Sequence, residues 1–474
     1  MSFVGLFTGL SGIRAAQTGL DTVTHNVANA NTPGYTRQRV ELAASHTFQS
    51  PSGPIGTGVT VQDIARLRDG FLDIRYRSAV GDYAAAGVRS EFLASMERLS
   101  GEPDLGIAAR MGGLWSALED WANEPDSAAA RGTVMSSLAS ITEGFRATAE
   151  AWDSLGTDTS GRLDVATTAA NDTLDSLHQL NIEMTGANTE RIGPEVYDQR
   201  DRLLDRMADL TGATVRYEEN GSVTVSLPGG QTVLSHPDGR ARLRVGEGEP
   251  PQMELSALTA DPDDEGAGWA PVSVTGEVGG LYRAVHEDLP AWRAQLDELA
   301  TTLATAVNDL NRAGFRADGS AGEDLLTLGD QDGARTLELI SFDVAALAAA
   351  AATGPDGGPP AAHDGTNARL FADLRTTALA VPGGGRDARL EDQISNLVVG
   401  LAGEVRSTSD TARAAQGIAS GAALARASQH GVSVDEEMVD MVRYQRALEA
   451  SARLMTTVDQ MLDVLVNRVG IVGR

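Results

Sequence analysis

The sequence has no cysteine and no lysine. The first absence excludes a disulfide framework and any thiolate metal site. The second excludes Schiff-base lysine chemistry and Walker-type phosphate loops, and leaves arginine to carry all 38 basic residues, the pattern of a GC-rich genome. Aromatic residues are only 4% of the chain while glycine reaches 52 positions, so many helix contacts must be made by small residues. No run of 18 apolar residues is present, which excludes a membrane-inserted helix. The N-terminus lacks a basic region followed by an apolar core, so no conventional signal peptide is expected.

Catalytic patterns are missing as well. The seven histidines, at 25, 46, 178, 236, 286, 363 and 430, form neither HExxH nor any other paired spacing. GxSxG, GxGxxG and the P-loop are absent. Asp261-Pro-Asp-Asp-Glu-Gly266 superficially resembles a calcium loop, but its twelfth position is Val272 rather than Glu. Acidic residues number 66, too many for any pair of them to indicate acid–base chemistry. The reading is of a protein that is not an enzyme and has no cofactor, catalytic residue or metal site.

The net charge of −28 argues against nucleic acid or an anionic membrane as partner. That charge is unevenly spread. Residues 1–40 carry Arg14, Arg37 and Arg39 against Asp21, a balance of +2, and residues 430–474 carry five arginines against seven acids, a balance of −2. The two ends cancel, so the whole excess lies on the middle of the chain and the ends are nearly neutral.

The most regular stretch runs from Val434 to Val472. Met441, Leu448, Met455, Leu462 and Val469 fall seven apart, and Tyr444, Ser451, Val458, Leu465 and Val472 repeat the step three residues later. Such a seam is too narrow to bury alone and calls for a second helix. At 1.5 Å per residue it predicts a rod of about 60 Å. A partner stands at the other end: Leu6, Leu10, Ile13, Gln17, Leu20, Thr24 and Val27 follow a 4,3 step. Gly5, Gly9, Gly12 and Gly19 each weaken that helix by about 1 kcal/mol relative to alanine, so it should not hold without its partner. Asn26, Asn29 and Asn31 compete for its backbone hydrogen bonds and Pro33 stops it, with Pro33-Gly34 suited to the centre of a type II turn before Tyr35.

Between the ends the period is helical from about Gly58 to Leu210. Phe71, Ile74, Ala79, Tyr83, Phe92, Met96 and Leu99 make one face, Met111, Leu114, Trp115, Leu118 and Trp121 the next, Ile141, Phe145, Ala149 and Trp152 another, and Leu163 to Met184 a further one. The charges of Asp198-Gln-Arg-Asp-Arg202 read as a solvated helical face. The period changes at Gly212. Val215 and Tyr217, then Asn220-Gly221, then Val223 and Val225 predict a hairpin, followed by short strands at 232–234, 241–245, 252–255 and 272–274. Helix returns from Pro290 to a cap at Gly314 and again from about Arg389 to Ala427, with short strands at 325–328 and 335–340 and a surface loop at 348–360 between them.

The fold expected is therefore mainly α with an inserted all-β domain: long terminal helices paired as a coiled coil (1–40 plus 430–474), a helical-bundle middle with some short strands (41–211 plus 283–429) and a small outer β domain (212–282).

Leu10-Ser-Gly-Ile-Arg-Ala-Ala-Gln17, Leu20, and His25-Asn-Val-Ala-Asn-Ala-Asn-Thr-Pro-Gly-Tyr-Thr-Arg-Gln38 resemble the N-terminal motif of bacterial flagellar rod, hook and hook-associated proteins. Val434-Asp-Glu-Glu-Met-Val-Asp-Met-Val-Arg-Tyr-Gln445, Ala450 to Arg453 and Thr457-Val-Asp-Gln-Met-Leu462 are similar to the end of the hook-associated proteins of the FlgK family, as are Asp198 to Leu204 and Leu296 to Phe315. The resemblance covers about a third of the chain. It implies a secreted structural subunit of the extracellular bacterial flagellum, carried uncleaved through type III export and placed at the junction between hook and filament. Its implied partners are other copies of itself in a ring, the flagellar hook protein, the next junction protein on the filament side, and a cytosolic export chaperone that binds the C-terminal helix. A hook or rod structural protein is the nearest alternative, and a coiled-coil surface adhesin a remoter one. On this reading the self-assembly interface comprises Leu6, Leu10, Ile13, Leu20 and Val27 against Met441, Leu448, Met455, Val458, Leu462 and Leu465, and Asn26, Asn29, Asn31, Pro33, Gly34 and Tyr35 set the turn into the next domain.

Overall fold

The structure is a computed structural model. It describes residues 2–50, 53–186, 192–259, 268–329, 333–354, 358–361, 363–379 and 387–467, with only the backbone described at 2–3, 50 and 465–467. The Asp261–Gly266 stretch, Val469 and Val472 lie outside the described residues, as does the side chain of Leu465.

Helix α1 (Ser2–Ala28) is followed by four strands where the sequence had suggested loop and helix: β1 (Gln38–Ala44), β2 (Thr47–Ser50), β3 (Gly53–Gly56) and β4 (Val59–Arg66). β1 pairs antiparallel with β4 from Gln38↔Arg66 to Ala44↔Val59, with a register shift at Glu41/Leu42, and β2 pairs with β3. Together they form one long hairpin. Its polar residues break the apolar alternation that a strand reading relies on, which is why the helical period appeared to begin at Gly58.

The middle of the molecule is built on α2 (Gly70–Leu99), α3 (Ile107–Asn123), α4 (Ala128–Thr185) and α5 (Pro194–Thr211). Asp69 caps α2 by accepting from the N–H of Phe71 and Leu72, Ser127 caps α4, and Gly212 ends α5 in the left-handed region at φ 67°. α4 is one helix of 58 residues rather than two. Gly156 and Gly161 lower its intrinsic helicity, but burial along its whole length outweighs that cost. α2 also turns differently from the expected face. Phe71, Ile74, Tyr83 and Leu99 are exposed, and the buried side of its first half carries Asp73, Arg77 and Ala79.

The strands after Gly212 form two sheets. β5 (Thr214–Tyr217), β6 (Val223–Ser226), β7 (Thr232–Ser235) and β8 (Gly239–Arg240) run in sequence order, and β9 (Leu243–Val245), β10 (Met253–Ser256) and β11 (Trp269–Pro271) form the second, with β10 central. Residues 272–274, read as a strand, lie just beyond β11. Two-residue β12 (Leu326–Thr327) and β13 (Glu338–Leu339) pair with each other. The remaining helices are α6 (Gly276–Arg283), α7 (Leu289–Ala313), α8 (Gly333–Thr336), α9 (Thr366–Asp373), α10 (Leu390–His430) and α11 (Val434–Asn467). Ala348, Ala349 and Ala350 are buried rather than looped out, because the backbone of Ala350 bridges Phe315.

Two apolar cores hold the middle together. The first joins Phe92, Met96, Trp121, Phe145 and Trp152 with α7, α9 and the start of α10. The second packs the strands against the far half of α4 (Leu163, Ala170, Leu174, Leu177), α5 and α6, so the β region draws its core from helices as well as strands. Each fully buried aromatic or leucine side chain contributes about 1.5–3 kcal/mol. A third, small cluster joins α2 to Ala419 and Ala422 of α10. None of the three contains a described residue of α1 or α11.

Candidate assembly site

α1 and α11 lie side by side and antiparallel. The glycines of α1 mark the seam. A Cβ built on Gly5 would stand 3.2 Å from Val458, on Gly9 2.9 Å from Met455, on Gly12 2.6 Å from the Ser451 hydroxyl, and on Gly19 2.5 Å from the Tyr444 ring. Each step along α1 toward its C-terminus is a step along α11 toward its N-terminus. On α11 the residues withdrawn from solvent include Glu437, Met441, Tyr444, Leu448, Ser451, Met455, Val458 and Leu462, the alternating step of four and three that a heptad seam requires. Bulky side chains of α11 therefore seat in a groove of α1 made by the lack of side chains.

That groove runs one residue ahead of the leucine stripe singled out in the sequence. Gly9, Ala16, Gly19, Val23 and Asn26 are buried, whereas Leu6, Leu10, Ile13, Leu20 and Val27 are half-buried and flank it. The physical reason is complementarity: against Met455 and Tyr444, close approach needs a small partner, and a leucine there would hold the helices apart. Sequence reasoning counted the glycines only as a cost to helix formation. Their 4,3,7 spacing was the available signal.

The turn after α1 closes the lower end of the pair. Tyr35 N–H donates to the Thr32 carbonyl over 3.2 Å with Gly34 at φ 75°, the geometry of a type II turn. A side chain at Gly34 would meet Arg202 at 2.6 Å. Asn26 uses its whole hydrogen-bonding capacity. Its amide donates to the Gln38 carbonyl (2.9 Å) and to Glu437 Oε2 (3.0 Å), and its oxygen accepts from Gln38 N–H (3.0 Å) and the Tyr35 hydroxyl (2.7 Å). Arg37 Nε reaches Glu437 Oε1 at 2.6 Å. Burial, helped by Asp198, Glu195 and Glu437, pushes the Tyr35 phenol well above its ordinary pKa, so it remains a donor. Asn29 donates to the His25 carbonyl (3.0 Å), and Asn31 and Pro33 are exposed.

Below the turn, an ionic joint ties β4, α2 and the end of α10 to α5. Arg66 Nη2 lies 2.6 Å from both Asp198 and Asp201, Arg68 bonds Asp73 and the Tyr217 hydroxyl, Arg77 Nε lies 2.7 Å from Asp205, and Arg426 lies 2.7 Å from Asp73 and 2.6 Å from Asp205. Asp198, Arg200 and Asp201 are buried, which corrects their reading as a solvated face: the arginines that pair with the two aspartates arrive from β4, the link after it and α2, distant in sequence. Burial would raise the pKa of Asp201, but Arg68, Arg200 and Arg66 outweigh it and hold it below the ordinary value. His430, at the break between α10 and α11, accepts the Asp69 N–H at Nε2 (2.8 Å) while its carbonyl accepts from Arg37 N–H (3.0 Å). Burial, with Arg426, Arg68 and Arg66 close by, lowers its pKa despite Asp73.

Among the described residues, no group of three or more carboxylate or histidine side chains could hold a metal ion, and no helix is long and apolar enough to cross a membrane. Residues 93–326, which hold the whole second apolar core and much of the first, match the model of the flagellar hook-associated protein FlgK helical domain. The chain belongs to the FlgK family of flagellar hook-associated proteins. The family's two termini match as well: residues 6–36 fit the flagella basal body rod protein model and 427–468 the C-terminal model of the flagellar basal body rod FlgEFG proteins, which are α1 with its turn and α11. Flagellar hook-associated protein 1 of Bacillus subtilis is 27% identical over 512 residues, covering 100% of this chain and 99% of its own length. The protein of that name from Salmonella typhimurium is 26% identical over 331 residues, 68% of this chain, and the match spans 58% of its length. The solved structure of the flagellar hook junction protein FlgK from Burkholderia pseudomallei shares the fold, with a TM-score of 0.65 at 16% identity over 76% of this chain and 100% of that one. This family is one of flagellar structural proteins, and nothing in the chain gives positive support for catalysis.

Proposed function

We propose that this chain is the structural adaptor between flagellar hook and filament, assembled as a ring of copies with its terminal helix pairs innermost and the β region outermost. The observation that carries the reading is the incompleteness of the terminal layer. α1 and α11 contribute to no apolar core, yet Phe7, Val434, Met438, Val439, Val442, Leu454, Met461 and Val464 stand exposed on them, and Phe48 and Ile55 stand exposed on the β2–β3 hairpin. Apolar surface on this scale is completed by neighbours. The half-buried Leu6, Leu10, Ile13, Leu20 and Val27 flank the seam and are assigned to contacts between copies, while Met441, Leu448, Met455, Val458 and Leu462 serve both.

Weak terminal helices also suit passage unfolded through a narrow export channel, followed by folding on assembly, with a cytosolic chaperone holding the C-terminal helix beforehand. The partners are then other copies, the hook protein and the next junction protein, outside the cell. Leu448→Asp should leave the middle folded by circular dichroism and abolish motility when it replaces the family member in a flagellated strain. Wild-type motility in that variant contradicts the proposal. The rod-type matches at both ends favour one other reading, a hook- or rod-like polymer, and purified chain forming long tubes unaided would select it.

A further inference from the structure

The seam of α1 and α11 repeats closely at a heptad. Gly5, Gly12 and Gly19 stand seven apart, so a slide of α11 by seven residues would bring Tyr444 to Gly12 and Ser451 to Gly5, or Val458 to Gly12 and Ser451 to Gly19, each still against a glycine. Apolar packing alone therefore separates these registers weakly. Glu437 does not repeat. It is 1% exposed, it belongs to the same seam, and both its oxygens are engaged, Oε2 by Asn26 and Oε1 by Arg37. Asn26 is equally buried, and the Tyr35 hydroxyl and the backbone of Gln38 hold it from the turn. A slide in either direction carries the Glu437 carboxylate away from both partners; one direction sets Tyr444 against Asn26 and the other leaves Asn26 beyond the start of α11.

We infer that Asn26, Glu437 and Arg37 form a register lock, a positioning cluster that selects one alignment of the terminal helices out of a ladder of nearly equivalent ones. A single buried polar pair is the device by which a coiled coil rejects wrong registers, because an apolar seam tolerates sliding and an unpaired buried carboxylate does not. The inference rests on the geometry of one chain and is independent of the assembly the chain enters.

The absence of native cysteine makes disulfide capture in the full-length chain a clean test. The Cβ of a residue at 12 would lie 3.4 Å from that of Ser451, close to the roughly 3.5–4.5 Å separation of a disulfide. Gly12→Cys with Ser451→Cys reports the native register. Gly12→Cys with Val458→Cys, and Gly12→Cys with Tyr444→Cys, report a slide of one heptad either way. Oxidation traps even short-lived pairing. With the lock intact, only the first pair should close intramolecularly. Adding Glu437→Leu or Asn26→Leu should raise capture by the slid pairs roughly tenfold, while Glu437→Gln, which keeps a hydrogen bond to Asn26, should hold the native register. Failure of the native pair to close in the parent, exclusive native capture in the leucine variants, or loss of all three captures in them would each overturn the inference, the last because the cluster would then support pairing itself rather than alignment.

Discussion

Asp201 draws Arg66, Arg68, Arg77 and Arg200 around one buried carboxylate, and the chain segments that bring them are β4, the link after it, α2 and α5. Removing it leaves Arg200 without a carboxylate partner in a dry site, while Arg66, Arg68 and Arg77 keep Asp198, Asp73 and Asp205, so Asp201→Ala should cost about 3 kcal/mol, read as a lower denaturation midpoint. The acid response has a definite sign. His430 and Asp201 both titrate below their unfolded values, 6.5 and 3.8, so the unfolded chain binds the more protons and stability falls as pH falls. The histidine contribution is complete above pH 6.5 and fades below it, and the aspartate contribution fades only below 3.8. His430→Gln, whose amide oxygen can still accept from Asp69, should flatten the melting temperature between pH 7 and pH 5; an unchanged slope would remove His430 from the account. None of this was legible from sequence. Asp198 and Asp201 sit on a helical face where neighbouring charges suggest local pairs; one such pair, Arg200 with Asp201, does form, but only the fold shows that Arg66, Arg68 and Arg77 reach these carboxylates from more than 100 residues away.

At the scale of elements, period and punctuation carried most of the information. The aromatic stripe of α3 and the Ile141 to Trp152 face of α4 are buried, and the Asn220-Gly221 hairpin forms with Gly221 at φ 88°. The β1–β4 hairpin did not announce itself, because its strands lie against one helix and keep polar residues on both faces. The glycines of α1 show why helix propensity misleads when a neighbour dictates shape. Gly19→Ala should raise the helicity of an isolated α1 peptide by about 1 kcal/mol per site and yet loosen the α1–α11 pair, because the methyl group meets Tyr444. Gly132→Ala in α4, with nothing within 4 Å of the added carbon, should stabilise the middle by up to about 1 kcal/mol. Limited proteolysis of the terminus and denaturant melts of the middle read the two effects separately; equal stabilisation in both variants would deny the seam its need for glycine.

On the scale of the whole molecule, a middle with two apolar cores carries a terminal layer that has none. The split was visible in the sequence as an acidic middle between nearly neutral ends, the first of them weakened by glycine, though which face of α1 meets α11 was not. In the proposed assembly, the terminal pair is finished by neighbouring copies rather than by the chain itself. Hydrogen exchange at the α1 and α11 amides, compared between the free chain and the assembled ring, tests this most directly. Fast exchange at both ends of the free chain, beside a protected middle, and slow exchange after assembly are the expected result. Ends as strongly protected in the dilute free chain as in the assembly would contradict it.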